Sequence, residues 1–334
     1  MKMKKSNKLS EEIQKSQILY RERENKSLFN IIEEFSQGEL DKYEYILEMH
    51  DKYSTLFELK KLIKKCNIKS ISIDSDFVKF HLDGSNLTLI ADNACRSALF
   101  ESLNFGSYEQ EEMQMIENLI GEKDVIFDIG AHLGWYSIQL AYLRKHATIY
   151  GFEPVAATYH LFKKNIELNE LTNINYFNFG FSDKEKMTNF YYSEAGSAIA
   201  SEQDIFEVNT LGTVECYLKR LDDFVLDKKI SQIDFIKCDV EGAEFLVLKG
   251  GQNSIKKFSP ILFLELVENW CNMFSYTIQE LIVFLFDLGY KMFEIQKGHL
   301  KELNAISTES IDNFNYLFLH GKKHEHLISK FSSK

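Results

Sequence analysis

The stretch Val125-Ile-Phe-Asp-Ile-Gly-Ala-His-Leu-Gly-Trp-Tyr-Ser137 runs from an apolar strand, through an acid, into a glycine-punctuated turn at the head of a helix. A strand that delivers the chain into a turn holding Gly130 and Gly134 is how nucleotide-binding α/β folds let a ligand approach the backbone. Asp128 bears on that ligand's charge. A pyrophosphate is an anion held at a helix N-terminus, and a carboxylate two residues before the first glycine repels it. The dinucleotide pattern Gly-x-Gly-x-x-Gly is also broken, because His132 stands where its second glycine belongs. The turn is therefore expected to take a cationic ligand. S-adenosylmethionine, with an ammonium and a sulfonium and no pyrophosphate, meets that description.

Working outward, the next strand ends in Gly151-Phe-Glu-Pro154. An acid about twenty residues past the glycine turn sits at the tip of the neighbouring strand, where its carboxylate can accept both ribose hydroxyls. Glu153 is the expected ribose ligand, and Pro154, one of two prolines in the chain, fixes the backbone as it leaves the strand. A third strand runs into Gly180-Phe-Ser-Asp183. There Asp183 can accept from an adenine amine and Phe181 can cover the ring, with Ser182 between them.

The chain has 334 residues, 45% of them hydrophobic, and a net charge of -11 spread along its length. That accommodates one large core plus an appendage and disfavours nucleic acid as a partner. The five cysteines are scattered, without a Cys-x-x-Cys pair, which suits a reducing cytoplasm. No stretch reaches the ~18 apolar residues of a membrane span, and no signal-peptide pattern follows the N-terminal lysines. Residues 1–67 read as a helical appendage, and a homodimer through these helices is one expectation; 68–334 read as the main domain. Within it, alternation over 70–90 around Asp83-Gly84-Ser85 predicts a β-hairpin. Strands near 124–129, 148–152, 174–179, 233–238, 261–266, 290–295 and 314–319, mostly separated by helical patterns, predict a parallel sheet over about 107–320. An insertion, with a β-like run at Met187 to Ser193 and a polar loop around Gly196, divides the third strand from the fourth.

The motifs Phe127 to Ser137, Gly151 to Pro154 and Ile236-Lys-Cys-Asp-Val-Glu-Gly-Ala-Glu244 resemble the FkbM family of S-adenosylmethionine-dependent methyltransferases. Asn165-x-x-x-Asn169, Leu221-Asp-Asp223 and Leu248-Lys-Gly250 belong to the same resemblance. It implies a class I methyltransferase sheet, Rossmann-like and mostly parallel, of seven strands in the order 3-2-1-4-5-7-6. Where the family usually has asparagine after Gly-Ala, this chain has His132. The cofactor residues expected are Asp128, Gly130, Ala131, His132, Gly134, Tyr136, Ser137, Glu153, Pro154, Phe181, Ser182 and Asp183, with Tyr108 and Glu109 capping the methionine end.

Ligands in open α/β sheets bind beyond the carboxyl ends of the strands, which places Asp239 at the cleft. Methyl transfer needs an acceptor held in line and a base for its proton, and Asp239, assisted by Glu241 and by Glu265 at the end of the fifth strand, is the expected base. Alternatively, Asp239, Glu241 and Glu244 hold a divalent cation such as Mg. The function expected, as the family resemblance implies, is O-methylation of a hydroxyl on a sugar, glycan or glycosylated metabolite. The competing readings are a nucleotide-sugar oxidoreductase and a non-catalytic scaffold.

Overall fold

The structure, a computed structural model, describes residues 26–91, 97–193, 196–203, 210–304 and 314–332. Its contacts divide the chain into two compact units, 1–65 and 66–334. In the first, helices Leu28–Ser36 and Lys42–Ile63 each begin at a capping box: Ser27 accepts from the Asn30 amide, and Asp41 from those of Tyr43 and Glu44. Ile31 and Met49 are buried, whereas Phe29, Tyr43 and Phe57 are exposed. The part of the expected helical arm before residue 26 lies outside the described residues.

The second unit opens with β1 (Ile68–Ile73), β2 (Val78–Leu82) and β3 (Thr88–Ile90), an antiparallel sheet in that order. The expected hairpin over 70–90 is thus two hairpins. The extra turn is made by Asp74, whose carboxylate accepts from the Asp76 and Phe77 amides at 2.9 and 2.8 Å, and side-chain alternation carries no mark of it.

The main sheet follows: β4 (Val125–Ile129), β5 (Thr148–Phe152) and β6 (Ile174–Phe177) on one side, then, after the insertion, β11 (Phe235–Cys238) and β12 (Ile261–Glu265). The insertion itself contributes β7 (Gly180–Phe181), β8 (Lys186–Ser193), β9 (Gly196–Ser201) and β10 (Thr210–Lys219), which form their own sheet in the order β7-β10-β8-β9. The segment around Gly196, expected as a loop, is therefore strand β9. The chain closes with β13 (Tyr290–Gln296), β14 (His299–Leu303) and β15 (Asn315–His320). The main-sheet order is β14-β13-β15-β12-β11-β4-β5-β6, with β15 antiparallel to both neighbours. Counted from β4, this is the class I order 3-2-1-4-5-7-6, with β14 added at the edge. That eighth strand corrects the expected seven; it forms a hairpin with β13 through Lys297-Gly298.

Two devices hold the part of the sheet that carries the site. Behind β4 to β6, Phe127, Phe152, Phe179 and Phe181 pack with Phe224 of helix Leu221–Asp227, the Phe152 and Phe224 rings lying 5.1 Å apart at 89°. In front, Asn165 on helix Ala156–Leu168 and Asn169 at its C-cap, one turn apart, pair with β3: they accept from the Ile90 and Thr88 amides at 2.7 and 2.8 Å. Asn165 also donates to the Leu133 carbonyl at 3.0 Å, tying the small sheet to the glycine turn. The glycine of Leu248-Lys-Gly250 is explained by close approach, since a Cβ there would meet the Ser182 carbonyl at 2.1 Å. No helix among the described residues is long and apolar enough to cross a membrane.

Candidate active site

A cleft of about 270 Å³ opens at the carboxyl ends of β4, β5, β11 and β12. Of the residues expected to contact a cofactor, Tyr108, Glu109, Gly130, Ala131, His132, Tyr136, Glu153, Pro154 and Phe181 line it; so do Asp239, Glu241 and Glu265.

Its floor is the turn from β4 into helix Trp135–Leu143. Gly130 and Ala131 donate their amides to the Phe152 carbonyl at 3.0 and 2.9 Å, and the His132 amide donates to Glu153 at 2.9 Å. The other Glu153 oxygen accepts from the Val155 amide at 2.9 Å. Burial pushes the Glu153 carboxyl above its ordinary value, against the pull of His132 and these amide bonds. Gly130 has φ +79, and a Cβ on it would lie 1.9 Å from the Asp239 carbonyl. The turn after β4 and the turn after β11 therefore touch backbone to backbone, which only glycine allows. His132 has φ +51, a left-handed backbone that histidine, like asparagine, tolerates better than most residues.

Asp128 corrects the first expectation. It is 1% exposed and does not line the cleft. One oxygen accepts from the Ser137 amide and hydroxyl at 3.0 and 2.6 Å, capping the helix, and the other faces the Lys237 ammonium at 3.7 Å. Ser137, the donor of those bonds, is equally buried. Gly134, Ser182 and Asp183 also stand outside the lining. Gly134 takes φ +94 against the Phe162 ring, Ser182 packs on Gly250, and Asp183 is exposed beside it.

At the other end of the cleft, the turn after β11 presents Asp239, whose side chain is 29% exposed. Asp239, Glu241 and Glu265 bring carboxylate oxygens within 4.8 Å of one another. Burial, together with the charges of Asp239 and Glu241, pushes the Glu265 carboxyl well above the usual range. Glu244, expected with the cation ligands, points inward: it is fully buried and accepts from the Val240 and Gly242 amides at 2.9 and 3.3 Å. Burial raises it to about 7.

Between the two ends lie further groups, of which the sequence reading left Lys237 and Asn315 without a role. Lys237 sends its ammonium from β11 to the Gly130 carbonyl at 2.8 Å and to Asp239 at 3.2 Å. A lysine inside the apolar strand Phe-Ile-Lys-Cys was its only local signal. Burial opposes the Lys237 charge, yet Asp239, Asp128 and Glu109 outweigh it and raise the ammonium's pKa. Glu109 accepts from the Tyr136 hydroxyl at 2.6 Å and from the Asn315 amide at 2.7 Å, and burial raises its pKa. Trp270, Phe314 and Phe190 line the outer part of the cleft. Asn315, 206 residues from Glu109, had no local signal at all.

A class I methyltransferase fold with a glycine turn, an acid at the next strand tip and an acidic strand end beside it defines the class of protein. Residues 128–292 match the Methyltransferase FkbM domain, and the core of this chain belongs to the FkbM methyltransferase family. The chain is 28% identical over 159 residues to the 2-O-methyltransferase NoeI of Sinorhizobium fredii, 43% of this chain and 64% of NoeI. It is 26% identical over 144 residues to Methyltransferase 1 of Beauveria bassiana, 37% of this chain and 57% of that protein. A crystal structure of Methyltransferase FkbM from Methylobacillus flagellatus aligns with a TM-score of 0.41 and 14% identity, over 80% of this chain and 60% of that one. The chain thus spans less than two thirds of the length of these relatives.

Proposed function

We propose that this chain is an S-adenosylmethionine-dependent O-methyltransferase acting on a hydroxyl of a sugar, glycan or glycosylated metabolite. The observation that carries the reading is the charge of the cleft. Glu109, Glu153, Asp239, Glu241 and Glu265 line it, and the one ammonium among the described lining residues, Lys237, is committed to Gly130 and Asp239. Such a lining suits a cationic cofactor and offers a pyrophosphate or nucleic-acid phosphate no free partner. The charge argument first attached to Asp128 thus passes to the acids that face the cleft.

Glu153 would hold the ribose hydroxyls, each oxygen keeping a lone pair beyond its amide bond. The Gly130 to His132 backbone would lie under the cofactor, and Phe181 beside the adenine. Bound S-adenosylmethionine supplies an electrophilic methyl group. Asp239 takes the acceptor's hydroxyl proton, with the Glu265 carboxyl beside it. Trp270, Phe314 and Phe190 offer flat apolar surface to a sugar ring. The name of NoeI, a 2-O-methyltransferase, supports oxygen as the acceptor atom. Acid–base chemistry is favoured over a bound cation, because the Lys237 ammonium already stands 3.2 Å from Asp239 and repels a second cation there. Homodimerisation through the N-terminal helices is part of the proposal, supported by exposed Phe29, Tyr43 and Phe57. Calorimetry is the test: saturable S-adenosylmethionine binding, weakened about 10- to 100-fold in Glu153→Ala by loss of charged hydrogen bonds, is expected. A wild-type chain that binds reduced nicotinamide dinucleotide and not S-adenosylmethionine overturns the reading.

A further inference from the structure

We infer that Lys237 is a positioning residue that fastens the cofactor turn to the acceptor-facing acid, holding the two halves of the site in register. The inference rests on the S-adenosylmethionine reading of the cleft. Its ground is geometric. The Lys237 side chain is 7% exposed, and its nitrogen has the Gly130 carbonyl at 2.8 Å, Asp239 at 3.2 Å and Asp128 at 3.7 Å. The Gly130 carbonyl and Asp239 lie within hydrogen-bond distance of the ammonium, and Asp128 faces it as an ion pair.

The turn is pinned from two sides. From β5, the Phe152 carbonyl receives the Gly130 and Ala131 amides, and Glu153 receives that of His132. From β11, Lys237 holds the Gly130 carbonyl, so that the same peptide group is gripped at both ends. The charged groups facing Lys237 come from every element around it: Asp128 from β4, Asp239 from the end of β11, and Glu109 from the head of helix Gln110–Leu119. The Tyr136 ring, from helix Trp135–Leu143, lies 5.6 Å away. Glu109 is taken up by Tyr136 and Asn315, which leaves the ammonium to the other two acids. Asp239 in turn faces Glu265 from β12, with Glu241, Glu244 and Tyr108 also around it. Lys237 thus ties a carbonyl beneath the cofactor to a carboxylate facing the acceptor, at a joint where the Gly130 Cα already abuts the Asp239 carbonyl.

The test uses the full chain with S-adenosylmethionine as the calorimetric probe, in wild type, Lys237→Met and the double variant Lys237→Met/Asp128→Asn. The double variant removes both buried charges together, so it remains informative where the single one does not fold. Affinity is expected to weaken about 10- to 100-fold in both, the worth of one charge-assisted hydrogen bond, with binding stoichiometry in the double variant near that of wild type. Hydrogen exchange without ligand is expected to quicken at the amides of residues 130–132 and not in helix Ile278–Asp287. A residue that merely supports the fold would lower the melting temperature and the binding-competent fraction without changing the affinity of that fraction. Wild-type affinity and unchanged exchange in the double variant would show that Lys237 only neutralises Asp128, and would overturn the inference. A wild-type chain that fails to bind S-adenosylmethionine at all overturns the reading of the cleft itself, a distinct result.

Discussion

Neighbouring parallel strands β4 and β11 each end in an acid and turn into a helix, yet Asp128 is 1% exposed while the Asp239 side chain is 29% exposed. Each turn spends one carboxylate on its own backbone. After β4 that carboxylate is the first acid, Asp128, which caps the helix through Ser137. After β11 it is the last, Glu244, which reaches back to the Val240 and Gly242 amides. Because Glu244 satisfies the second turn from within, Asp239 and Glu241 are released to the cleft. The same acidic strand-to-helix pattern thus builds a scaffold in one place and a reactive edge in the other, and the difference lies in which acid meets the orphan amides.

The strongest way to break this arrangement is at the joint between the turns. Gly130→Ala would put a Cβ 1.9 Å from the Asp239 carbonyl on a backbone with φ +79. We expect a stability loss of about 3 kcal/mol or more and no measurable S-adenosylmethionine binding, read by denaturant titration and calorimetry. Next comes the exchange of roles. Asp239→Asn is expected to lower methyl transfer by about 10²- to 10⁴-fold, followed as S-adenosylhomocysteine release, with a smaller loss of stability than Asp128→Asn because its side chain is 29% exposed. Asp128→Asn is expected to do the opposite, costing about 3 kcal/mol of stability by leaving Lys237 without one of its buried counter-charges. Equal effects of both substitutions on turnover, with no effect of either on stability, would erase the distinction.

Glu244 gives a pH signature. Its carboxyl titrates at about 7 in the fold, against an ordinary value of 4.5, so the folded chain holds a proton that the unfolded chain releases in that window. Stability from this group is therefore full below about 4.5 and falls as pH rises towards 7, by up to about 3 kcal/mol. Comparing denaturation at pH 5 and pH 8, Glu244→Gln should show a smaller fall than wild type; identical slopes would contradict the assignment. The smallest effect is expected at His132→Asn. Both residues accept the left-handed backbone, so a stability change under about 1 kcal/mol is expected, and a larger one would mean that the imidazole itself bears load.

Much of this fold was legible locally. The strands of the main sheet lay within a few residues of their expected positions, because apolar runs punctuated by turns mark strands wherever they occur. The asparagine pair was visible as a motif, but its partner β3 was not, since nothing in Asn165 or Asn169 names the strand that needs its amides satisfied. The Asp74 turn and β14 escaped for a related reason: short edge elements bury little and leave a weak pattern. Glu153 and Asp239, expected at the cleft from strand-end position, do line it. Lys237 and Asn315 were not assigned, because their significance comes from partners far away in the chain.

The sequence by itself determined where strands end, where glycine frees the backbone, and which acids stand at the tips. These are properties of a few consecutive residues. Only the tertiary structure decided which way each acid turns, because a buried carboxylate goes where unsatisfied donors are, and those donors arrive from other elements. Asp128 went to Ser137 and Lys237, Glu244 to its own turn, and Asp239 was left facing the cleft.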